Sequence, residues 1–126
     1  MESVKIQKSP ELIQTIKEIK EKLANENVKR VLAKLKRTDK IWEYGFSERF
    51  SEDDMRGIDA YIYPQEGTSP ILLQMKFHLA PETIQRLQLI QVAPEVFYRD
   101  GIYTISCERE KEVEEKILRI LEREEK

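Results

Sequence analysis

Apolar residues recur at helical spacing through the first third of the chain. Ser9-Pro10-Glu11 reads as a helix start, with Ser9 as N-cap and Pro10 at the first helical position. Leu12, Ile16, Ile19 and Leu23 then fall on one stripe, and Val28, Val31, Leu32 and Leu35 continue the period to about Arg37. Asn25-Glu26-Asn27 marks a break or bend between the two runs. The pattern next changes to alternation. Trp42, Tyr44, Phe46 and Phe50 lie at even spacing within 41–50, as in a strand with one buried face, with Gly45 as a turn or bulge. Ser51 to Arg56 is a polar, acidic loop. Ile58 to Tyr63 and Ile71 to Phe77 read as two short strands of a hairpin, joined by the turn-rich Pro64 to Pro70.

Further along, Ala80-Pro81-Glu82 opens a helix that carries Ile84, Leu87 and Ile90, with Pro94 beyond its end. The stretch 95–106 holds a strand pair around Asp100-Gly101, or a single strand after a turn. Glu108 to Lys126 is a last helix with Val113, Ile117, Ile120 and Leu121 on its apolar face. The predicted order is α-(α)-β-β-β-α-β-α, an α/β fold. No repeat, low-complexity tract or linker divides residues 1–126, so they form one domain.

Side-chain parity separates the two motif strands into faces. Gln74, Lys76 and His78 point one way, and Leu73, Met75 and Phe77 the other. On the preceding strand Asp59, Tyr61 and Tyr63 oppose Ile58, Ala60 and Ile62. A carboxylate on one strand thus neighbours an amide and an amine on the next. A carboxylate, a second oxygen donor and a lysine are the parts of a metal-dependent phosphodiesterase.

These residues carry a resemblance to the PD-(D/E)XK, or restriction-endonuclease-like, nuclease superfamily in its Gln-x-Lys version. The Mrr-type nucleases and archaeal Holliday-junction resolvases look similar here. The resemblance implies an αβββαβ core over roughly residues 26–106, a mixed sheet flanked by helices, and extra helices at both ends. It implies Asp59 and Gln74 as metal ligands, the backbone carbonyl of Met75 as another, and Lys76 as the catalytic lysine. Mg²⁺ or Mn²⁺ would be the cofactor and DNA the substrate. Many members also have a glutamate on the first core helix. Glu26 is the best-placed candidate, with Glu43 and Glu48 as rivals, and His78 shares the motif face. Ile58 replaces the usual proline before the motif aspartate. Gln74 brings no charge, so Asp59 alone would hold metal weakly until substrate phosphate adds its own.

Composition adds less. Of 126 residues 37% are charged and 40% hydrophobic, with a net charge of −2. Residues 1–40 carry 11 Lys/Arg against 6 Asp/Glu, and the remainder 11 against 18. Lys29, Arg30, Lys34, Lys36, Arg37 and Lys40 form the densest basic stretch, a candidate track for a phosphate backbone. No apolar run is long enough to span a membrane, and Met1 to Pro10 lacks a signal-peptide core. A lone cysteine, Cys107, suits a reducing cytoplasm. A Gly-rich phosphate loop, a Cys/His zinc cluster and a nucleophile elbow are all missing from the sequence. Two other readings share this pattern: a nuclease-fold domain that binds nucleic acid or protein without cutting, and a small structural or assembly protein. A homodimer would supply two sites for two strands.

Overall fold

The computed structural model describes residues 9–48 and 51–125. Helix α1 runs unbroken from Pro10 to Arg37, capped by the Ser9 hydroxyl, which accepts the Leu12 N–H. The bend expected at Asn25-Glu26-Asn27 does not occur. Asn27 instead donates its side-chain amide to the carbonyls of Cys107 and Glu108, at 2.9 and 3.3 Å. That tertiary use offsets its weak helix propensity. Ala24, Val28, Val31, Leu32 and Leu35 are the buried face. The N-terminal half does not share it: Leu12, Ile13, Ile19 and Leu23 are exposed, so this half of α1 overhangs the sheet.

Strand β1, Glu43–Phe46, is shorter than the alternation suggested, and Phe50 lies outside the described residues. The expected acidic loop contains one helical turn, α2 (Glu52–Met55), because the Ser51 hydroxyl caps it by accepting the Asp54 N–H. Strands β2 (Ala60–Tyr63) and β3 (Ile71–Lys76) form the expected antiparallel hairpin, with Ala60 opposite Leu73 and Ile62 opposite Ile71. Helix α3 is only Pro81–Arg86. It does not reach Ile90, because Gln88 adopts a positive φ of 55° and the chain turns into a strand. That strand, β4 (Ile90–Ala93), was not legible in the helical spacing of Ile84, Leu87 and Ile90. Strands β5 (Val96–Arg99) and β6 (Ile102–Ser106) pair across Asp100-Gly101, both with positive φ as a tight hairpin turn requires. Helix α4 spans Glu110–Glu124.

The described residues thus form an α/β fold with a six-stranded mixed sheet, ordered β1-β2-β3-β6-β5-β4. Only the central pair, β3 and β6, is parallel; it places Gln74 beside Thr104 and Lys76 beside Ser106. Helices α1 and α4 pack their apolar faces on the side of the sheet that carries Ile62, Leu73, Tyr103 and Ile105. Among the described residues α1 precedes the first strand and α4 follows the last. Burial of this cluster supplies the main driving force, and it excludes water from the back of β3. Lys116 of α4 is buried there, and its ammonium donates to the Ser106 carbonyl and hydroxyl at 3.0 and 2.8 Å. Its charge is paired with Glu95 at 3.7 Å. Among the described residues no helix is long and apolar enough to cross a membrane.

Candidate active site

The overhanging half of α1 and the ends of β1, β2 and β3 enclose an open cleft of about 1210 Å³. Asp59 sits on its floor, one residue before β2. Its backbone N–H donates to the Leu73 carbonyl at 2.8 Å, and its own carbonyl accepts the Ser47 N–H at 3.0 Å. These bonds fix its backbone to both neighbouring strands. Its Oδ2 accepts the Met75 N–H at 2.7 Å, while no described residue hydrogen-bonds to Oδ1.

Burial pushes the Asp59 carboxyl above its ordinary pKa. The Met75 N–H and the Lys76 ammonium oppose that shift, and the Asp54 and Glu21 carboxylates reinforce it. Desolvation is the largest of these effects, so the site favours the protonated form of Asp59.

Gln74 lies beside Asp59 on β3. Its Oε1 accepts the hydroxyl proton of Thr104 at 3.1 Å. Its Nε2 packs against Gly57, where an added Cβ would come within 2.9 Å. Lys76 lines the same cleft one pleat further on, as do Met75 and the exposed His78 just past the strand end. The cleft therefore holds Asp59, Gln74, Lys76 and His78 together, and because it lies at the strand ends it also takes in Met75 and Phe77 from the opposite parity.

The helix glutamate is placed differently from expectation. Glu26 does not line the cleft and pairs with Arg30 at 3.7 Å. Glu43 is held by Lys36 at 2.9 Å, which draws its pKa down, and Glu48 is exposed past the end of β1. Two α1 carboxylates, Glu18 and Glu21, line the cleft, and Glu21 is the one that acts on Asp59. A signal for it exists in the sequence. Glu21, Ala24 and Val28 fall at i, i+3 and i+7, so the buried stripe extended backwards leads to Glu21.

The basic stretch also lies elsewhere. None of Lys29, Arg30, Lys34, Lys36, Arg37 and Lys40 lines the cleft. Lys34 pairs with Glu114 at 2.7 Å, and Lys36 and Arg30 have the partners already named. Among the described residues the cations facing the cleft are Lys76 and, from the overhang, Lys17, Lys20 and Lys22, with Lys20 lying over the Phe77 ring. The acidic turn contributes Asp54 to the wall, while Asp53 accepts the Tyr61 hydroxyl behind it.

Among the described residues no three His, Cys, Asp or Glu side chains cluster closely enough to hold a metal by themselves. A divalent cation here would need neutral oxygens and a ligand anion as well as Asp59. That donor set fits Mg²⁺, which uses one or two carboxylates and takes the rest from water and phosphate. No family model, curated protein or solved structure matches the chain.

Proposed function

We propose that the cleft hydrolyses DNA phosphodiester bonds with Mg²⁺ or Mn²⁺, on a restriction-endonuclease-like core formed by α1, β1, β2, β3, α3 and β6. In that reading α2 is an insertion after β1, and the β4–β5 pair is an insertion before β6. The observation that carries the proposal is the shared position of Asp59, Met75 and Lys76 in one cleft, facing Glu21. Asp59 Oδ1 and the Met75 carbonyl would hold the cation. When bound, it would neutralise phosphate charge and acidify water. Asp59 is oriented by the Met75 amide before any ligand arrives. The Lys76 ammonium would stabilise charge on the scissile phosphate or steady the attacking water. Glu21 sits across the cleft, where its carboxylate would accept a proton from that water. Lys17, Lys20 and Lys22 would steer the backbone into the cleft.

The test is direct. Wild type, Asp59→Ala and Lys76→Ala are incubated with branched, duplex and single-stranded DNA over a range of Mg²⁺ and Mn²⁺. Cutting by wild type that both substitutions abolish, with unfolding curves retained, is the expected result. Cutting that persists in both variants refutes the assignment. Salt-dependent DNA binding without cutting by wild type selects a binding module instead.

A further inference from the structure

We infer that Gln74 serves this site as a hydrogen-bond donor to a phosphate oxygen of the bound strand, through Nε2, and not as an oxygen ligand of the metal. The inference rests on the phosphodiesterase reading and changes the role of one residue within it.

Three observations carry it. First, the amide is held at one end and given room at the other. Thr104 is only 1% exposed, and its hydroxyl donates to Gln74 Oε1 at 3.1 Å. At the other end Gly57 leaves room for Nε2 that a side chain would fill, since a Cβ there would lie 2.9 Å from it. Second, the two ends lie on opposite sides of β3. Thr104 belongs to β6, the neighbour away from Asp59, whereas Gly57 leads into Asp59 and β2. The amide oxygen therefore points away from Asp59 and its nitrogen towards it. Third, the oxygen is already engaged. An amide nitrogen carries two donors and no useful lone pair, so what it presents to the cleft is attraction for an anion. A phosphate oxygen held beside the cation on Asp59 is that anion.

The opposite amide rotamer would put Oε1 on the Asp59 side and make Gln74 a ligand. The Thr104 hydroxyl would then accept from Nε2. Removal of the amide separates the two arrangements. Gln74→Met keeps an unbranched side chain of similar length and deletes both polar atoms. Mn²⁺ affinity is measured by calorimetric titration without DNA. DNA affinity is measured by fluorescence anisotropy of a labelled oligonucleotide in EDTA. Thr104→Val and Thr104→Ser are measured alongside, and thermal unfolding checks that each variant is folded.

For Gln74→Met the expected result is Mn²⁺ affinity within about twofold of wild type and DNA affinity in EDTA weakened roughly tenfold, the size of one hydrogen bond to a charged group. Thr104→Val should weaken DNA binding in the same direction, and Thr104→Ser should restore it. A Gln74→Met protein that loses Mn²⁺ affinity overturns the inference and makes the oxygen a ligand. Unchanged affinity for both overturns it too, because the amide then meets neither. A wild type that binds DNA in EDTA but no Mn²⁺ leaves the donor role standing and defeats the metal-dependent reading. A wild type that binds neither defeats both.

Discussion

The carboxylate of Asp59 is bound to the backbone of the residue that lies between Gln74 and Lys76: Oδ2 accepts the Met75 N–H at 2.7 Å. One hydrogen bond thus ties the two motif strands together at the point where their functional side chains meet. It favours the ionised carboxylate, but burial outweighs it. The folded-state pKa of Asp59 is raised, so the native protein holds that proton more tightly than the unfolded chain does. The associated stability is full below the ordinary aspartate value and is lost as pH rises through the raised one. Asp59→Asn keeps an acceptor for the Met75 N–H and removes the titration. It should therefore unfold at a higher temperature than wild type near neutral pH, with the gap closing as the medium is acidified. Melting curves across that range, without metal, would show it; a gap independent of pH would contradict the burial argument.

Gly57 has φ +85° and its missing Cβ is the space that Gln74 Nε2 occupies. Gly57→Ala should cost about 1–3 kcal/mol in urea unfolding from backbone strain, with further cost from displacing the amide. Gly101 provides the control, because it has φ +86° with nothing within 4 Å of an added Cβ. Gly101→Ala should therefore cost less than Gly57→Ala. Equal costs would mean that the contact with Gln74 carries no energy.

Glu21 and Glu26 lie five positions apart on one helix, and only the first lines the cleft. Glu21→Gln should reduce metal-dependent cutting by about 10²-fold or more, the usual scale for a positioned acid–base group. Glu26→Gln should change it less than twofold, because the Arg30 pair it loses is exposed and worth under about 1 kcal/mol. Rate measurements at saturating Mg²⁺ decide between them. The reverse ranking would move the site along the helix.

Lys20 and Lys22 line the cleft, whereas Lys36 and Arg37 do not. Replacing both members of the first pair with alanine should lower the magnitude of the salt slope of duplex binding by up to about 1.8, near 0.9 for each phosphate contact. Replacing the second pair should leave the slope close to that of wild type. Binding isotherms at four or five salt concentrations provide the comparison.

Cys107 is fully buried at the end of β6, and burial pushes its thiol up to about 12. Its reaction with a thiol reagent at pH 8 should be at least about 10²-fold slower in the folded protein than in urea, since only thiolate reacts and access is closed. Labelling of the native protein at the rate of a free cysteine would show that β6 and α4 open readily.

The elements carried by local pattern were legible in the sequence. The β2–β3 hairpin follows from alternation on both sides of a Pro/Gly-rich turn, and parity alone placed Asp59, Gln74 and Lys76 on one face. The α4 face and the Ser9 cap likewise depend on neighbours a few residues away. What escaped depends on residues distant in sequence. Asn25-Glu26-Asn27 has the composition of a helix break, yet Asn27 is recruited by Cys107 and Glu108, some 80 positions on. Ile90 fits a helical stripe, yet it pairs with Tyr98 in a strand. The buried stripe of α1 leads back to Glu21, but only the sheet beneath α1 shows that this end of the stripe meets a cleft. The partner of the Gln74 amide, Thr104, lies on a strand that joins β3 in parallel after three intervening elements. Periodicity determined which residues share a face; only the order in which strands pack determined which groups those faces meet.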